Sequence, residues 1–135
     1  MEEVKSFKER EEIHLLRFNE FITQINLVQE QELLPEDMEV VFNENNSFSI
    51  YYQDRELVAK FSFAINSINE LKGYITCFKK PESPGREEEI YRLSFDEYGV
   101  ADIPGGKPNE AYKINHQDVA RKLLSHWMLL LVIKE

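Results

Sequence analysis

Three histidines are the first groups to test for chemistry, because imidazole serves both as metal ligand and as general base. His116 and His126 stand ten positions apart on one expected helix, roughly 15 Å by helical rise and too far to share an ion. His14 falls on a different helix, beside its apolar stripe, and no pair has the four-residue spacing of a helical zinc motif. The histidines therefore read as surface or packed residues, and no metal ligand is assigned. Cys77 is the one cysteine and sits in an apolar strand pattern, where a thiol acts as a small buried hydrophobe. No imidazole or helix N-terminus lies near it in sequence to stabilise a thiolate. Ser125 and His126 are adjacent on a helix, so their side chains diverge. Pro104-Gly105-Gly106-Lys107-Pro108 has the look of a phosphate loop but fails its pattern: Ala101 stands where the first glycine is required. Pro108, which lacks an N–H, stands where Ser or Thr should follow the lysine. No catalytic residue and no cofactor-binding residue follows from these groups.

Charge is more informative. Sixteen Lys and Arg against twenty-five Asp and Glu leave a net charge of −9, a field that repels polyanions and anionic membranes. Aromatic and basic residues meet at Tyr74, Phe78, Lys79, Lys80 and Arg86. Such a strand can stack single-stranded bases, but lysines also guard sheet edges, and the net charge favours the second role. Carboxylates cluster at Glu30, Glu32, Glu36, Asp37 and Glu39, and again at Glu87, Glu88 and Glu89. They serve either as a solvated surface or as a negative face for a basic partner. Glu36, Asp37, Glu39, Glu87, Glu88 and Glu89 are the candidate partner contacts. The run Trp127–Ile133 is apolar on every side of a helix. Either the helix is wedged between two packed layers, or Trp127, Leu130 and Leu131 form an oligomer interface, as in a homodimer. That run is far below the roughly 20 residues that span a bilayer. The first residues also lack the basic start and apolar run of a secretory signal, which points to the cytoplasm.

The elements that position these groups follow from periodicity. Phe7, Leu15, Phe18, Phe21, Ile22, Ile25 and Val28 recur every three or four residues, predicting a helix from about residue 5 to about residue 31, before Pro35. Met38–Phe42 and Phe48–Tyr52 are β-prone, with Asn43-Glu44-Asn45-Asn46 as a turn between them. Leu57, Ala59, Phe61, Phe63 and Ile65 alternate with smaller or polar residues, the clearest strand of the chain. Asn66–Gly73 reads as a loop or a short helical turn, Tyr74–Phe78 and Tyr91–Phe95 as strands, and Lys79–Glu89 as a charged loop. Asp96-Glu97-Tyr98-Gly99 is a turn with Gly99 at positive φ, leading to Val100–Ile103 and a second loop over Pro104–Tyr112. Asn115 and Asp118 look like the capping box of a closing helix. The expectation is a single α+β domain over residues 1–135. A long N-terminal helix, about five or six mostly antiparallel strands and a C-terminal helix would form a two-layer sandwich.

In size, acidity and general architecture the chain is similar to bacterial secretion chaperones and to immunity proteins that neutralise toxins, although its strand-rich middle lacks the internal helix usual in effector chaperones. The net charge, the Trp127–Ile133 run and the lack of a usable nucleophile or metal set lead to the expectation of a non-enzymatic acidic protein that binds a basic protein partner, in an inhibitor, immunity or chaperone role. The alternative is a ligand-binding or enzymatic domain with an apolar cavity under a curved sheet, lined by Phe48, Ile50, Phe61, Phe63, Tyr74 and Phe95. Its polar group would be His14 or an unplaced carboxylate.

Overall fold

His14, Phe18, Phe21, Ile25 and Val28 recur at helical spacing, and all five are buried along one side of α1 (Phe7–Glu30). The computed structural model describes residues 7–65, 68, 70–80, 86–101, 103, 107 and 111–132. Within that range α1 is followed by β1 (Glu39–Asn43), β2 (Ser47–Tyr52), β3 (Arg55–Ile65) and β4 (Leu71–Lys79). Then come β5 (Glu88–Phe95), β6 (Val100–Ala101), β7 (Tyr112–Lys113) and the closing helix α2 (Gln117–Val132). The strands form one antiparallel sheet in sequence order, each paired with the next. The fold is α+β, as the periodicities predict, but with seven strands rather than five or six. The additional pairing, Tyr112–Lys113, is too short to show an alternating pattern.

Tight connections fix the register. β2 and β3 are joined through Gln53 and Asp54, both in left-handed backbone (φ 51° and 62°), the geometry that matches the twist of a two-residue hairpin. Gly99 takes φ +83° in the turn before β6. There the Asp96 carboxylate accepts hydrogen bonds from the Tyr98 and Val100 N–H groups, each at 2.9 Å. β4 begins at Leu71, inside the stretch that reads as loop, because Leu71–Gly73 pair with Phe63–Ile65 at the far end of the hairpin.

Register also assigns the faces. Phe48, Ala59, Cys77 and Tyr91 share one row, with Phe61, Ile75 and Leu93 in the next row on the same face. Both helices pack on that face: Phe18 stacks on Phe61 with ring centroids 4.8 Å apart, and Trp127 lies 6.1 Å from Phe48 and 6.2 Å from Tyr91. Phe21 meets Trp127 edge to face at 6.0 Å, which ties the two helices together. Asn115 does not cap α2. The His116 carbonyl accepts the Ala120 N–H, placing His116 at the cap, while the Asn115 amide reaches 3.5 Å to Glu20 on α1.

Candidate functional site

The exit of α1 is built unusually. Glu32 N–H bonds the Gln29 carbonyl and Leu33 N–H bonds the Val28 carbonyl, the crossed pair that ends a helix through a left-handed residue. Glycine normally fills that position, yet here it is Glu32, at φ 55°. Glu30 and Glu32 also stand at the negative end of the helix macrodipole, and the last turn of α1 carries no basic residue. The chain then passes Pro35, whose carbonyl takes the Met38 N–H, and enters β1. A shallow cleft of about 450 Å³ opens at this junction, lined by Gln29, Glu32, Leu34, Pro35, Glu36 and Met38. Glu32 and Glu36 line it, and Glu30, Asp37 and Glu39, next to lining residues in the chain, are exposed as they are. None of the five is in an ion pair among the described residues.

The second carboxylate group stands differently. Glu87 pairs with Lys60 at 3.2 Å, and Glu89 pairs with Arg92 at 3.2 Å. Glu88 is exposed at the start of β5. Glu39 opposes Tyr51 and Tyr51 opposes Glu56, while the Lys80 N–H bonds the Glu56 carbonyl, so both groups lie at the same end of the sheet. They are nevertheless four strand spacings apart, about 19 Å. The structure thus brings Glu32 and Glu36 together at the cleft, leaves Glu30, Asp37 and Glu39 exposed on the adjoining chain, and sets Glu87, Glu88 and Glu89 apart.

Between the two groups lies the sheet face away from the helices. Asn43 donates to the Ser49 hydroxyl (2.9 Å), and Ser49 donates to Glu56 (3.3 Å). Lys80 pairs with the same Glu56 carboxylate at 3.1 Å, and that hydrogen bond and charge hold its ammonium above the usual lysine range. The aromatics of the base-stacking reading are already in use: Lys60 sits 4.9 Å over the Phe78 ring and Arg92 5.6 Å over Tyr74. Lys79 belongs to the opposite face, in register with Leu57.

The remaining candidates divide between the core and undescribed segments. His14 is 2% exposed, its Nδ1 hydrogen-bonded to the Arg10 carbonyl at 2.6 Å and its ring packed against Phe63 and Phe95. It belongs to the stripe it was expected to flank. His126 meets Tyr91 edge to face, and His116 is exposed. Among the described residues no three His, Cys, Asp or Glu side chains converge to hold a metal ion. Cys77 is fully buried, and burial pushes its thiol well up. Trp127 and Leu131 lie inside the core, Leu130 is half-buried against it, and Leu129 is the exposed member of that run. Ile133 lies outside the described residues, as does the Pro104–Pro108 loop apart from Lys107, and so does Pro81–Gly85. The six side chains of the cavity reading do not share a face, because Tyr74 is in register with Ser62 and Ser94 on the outer side. Phe48, Ile50 and Phe95 are buried in the packed core. Among the described residues no helix is long and apolar enough to cross a membrane.

The features that sequence reasoning missed are the left-handed Glu32 and the Gln29 side chain, whose Oε1 accepts the Val40 N–H at 3.3 Å. The available signal was a helix exit without glycine or a basic residue. No protein-family profile, no curated protein and no solved structure matches the chain.

Proposed function

We propose that the chain is a non-enzymatic cytoplasmic interaction protein that binds a basic protein partner through the carboxylates at the α1–β1 junction. The observation that carries this reading is their placement against local stability. Glu30 and Glu32 oppose the helix dipole, and Glu32 occupies a left-handed position that favours glycine. Residues kept where they weaken their own element are characteristic of functional surfaces. Five exposed carboxylates without ion pairs among the described residues also raise the local concentration of a cationic partner and orient its approach. An inhibitor or immunity role is the sharper form, in which the carboxylates fill a basic active site as a substrate anion would.

The test is affinity capture from extract of the cells that carry the chain, using the native protein and the triple variant Glu32→Lys/Glu36→Lys/Asp37→Lys. A specific basic protein retained by the native chain and released by the variant is the expected result. Retention of nothing specific, or equal retention by both, would remove the reading.

A further inference from the structure

The acidic junction borders a strand edge with free hydrogen-bonding capacity. Among the described residues β1 is the terminal strand of the sheet and pairs only with β2. Antiparallel pairs alternate between hydrogen-bonded and non-hydrogen-bonded partners, and in the second kind both backbone groups point away from the neighbour. Val40 is of the second kind, because its N–H bonds Gln29 on α1 rather than Ile50 opposite. Phe42, two residues on, shares that orientation. The Val40 carbonyl and the Phe42 N–H and carbonyl therefore face outward, and they have no partner among the described residues. Gln29 stands in for the carbonyl of an absent neighbouring strand, through a long 3.3 Å bond.

We propose that the free edge of β1 accepts an extended, lysine- or arginine-rich segment of the partner as an added strand, which continues into the cleft beside α1. The inference rests on the reading of the acidic junction as partner-facing and specifies how the partner binds. Main-chain bonds to Val40 and Phe42 would supply the register, and alternate side chains the specificity. Charge selects the occupant. Glu36, Asp37 and Glu39 stand at one end of β1 and Glu44 at the other, all exposed. Exposed strands commonly carry lysine, which deters edge-to-edge pairing. Here carboxylates have the same effect on a second copy of this chain, since edge-to-edge pairing would bring them together. They attract a basic strand instead. The Leu34, Pro35 and Met38 side chains of the cleft offer apolar contact to the segment beyond the strand.

The probe is a capped ten-residue peptide of alternating lysine and valine, titrated into the isotope-labelled native protein and followed by amide NMR. Saturating peptide is expected to slow hydrogen exchange of the Phe42 amide at least tenfold, and Glu36→Lys/Asp37→Lys to weaken the peptide at least tenfold. If the peptide binds with that charge dependence but leaves the Phe42 amide unprotected, strand addition is overturned while the acidic-surface reading stands. No binding at millimolar peptide overturns strand addition alone, since partner capture tests the broader reading separately. Concentration-dependent protection of Phe42 without peptide would overturn it in favour of a second copy.

Discussion

The carboxylates at the α1–β1 junction and those at the start of β5 are both exposed acidic clusters, but their surroundings are opposite. Around β5, Glu87 and Glu89 face cations supplied by β3 and by β5 itself, and neighbouring Lys80 and Glu56 repeat the arrangement. At the junction, five carboxylates share a helix C-terminus and a strand edge without a cation among the described residues. The first group is matched to its own fold. The second has no such match among the described residues, so its local electrostatics are unfavourable, and the proposed basic partner would relieve them.

Both regions depend on one platform, so the largest expected effects come from breaking it. Phe21→Ala removes a fully buried ring between Phe48 and Trp127 and should lower unfolding stability by about 3–5 kcal/mol. Phe61 is only half-buried, so Phe61→Ala should lower stability by less than Phe21→Ala when the two chemical denaturation curves are compared. Gly73→Ala comes next. A Cβ there would collide with the Phe95 ring, which is itself held by His14 and Phe61. A loss of about 1–3 kcal/mol is expected, with the melting temperature as readout. Glu32→Gly addresses the junction alone: it relieves the left-handed strain and removes a charge from the helix terminus, raising stability by about 1 kcal/mol. An unchanged or lower melting temperature would show that Glu32 is no liability.

The smallest effects sharpen the comparison most. Glu30→Gln should stabilise by a few tenths of a kcal/mol, because it removes a charge opposed to the dipole. Glu87→Gln should lose up to about 0.5 kcal/mol with its Lys60 partner, and added salt should reduce that loss. Equal signs for the two substitutions in matched urea titrations would erase the distinction between the regions.

Much of this was legible in the chain. The three- and four-residue spacing of Phe18, Phe21, Ile25 and Val28 and the alternation from Leu57 to Ile65 identify α1 and β3, because each period permits only one buried face. His14 escaped that pattern because a histidine carries no strong burial signal of its own. Asn115 has the composition of a cap, but its amide turns toward Glu20, a residue far away in the chain. Both acidic clusters were visible as strings of letters. Which of them is neutralised was not, since the Lys60–Glu87 pair joins residues 27 positions apart in the chain.

Sequence alone determined the charge excess, the two helices, the long strands and the turn at Gly99, since these depend on local sterics and on the period of apolar side chains. Tertiary structure decided the rest. It placed Trp127 between the helices and the sheet, turned Tyr74 to the outer face, and left β1 with an unpaired edge beside carboxylates without cations among the described residues. Those outcomes depend on strand order and register, which bring together groups that no local rule connects.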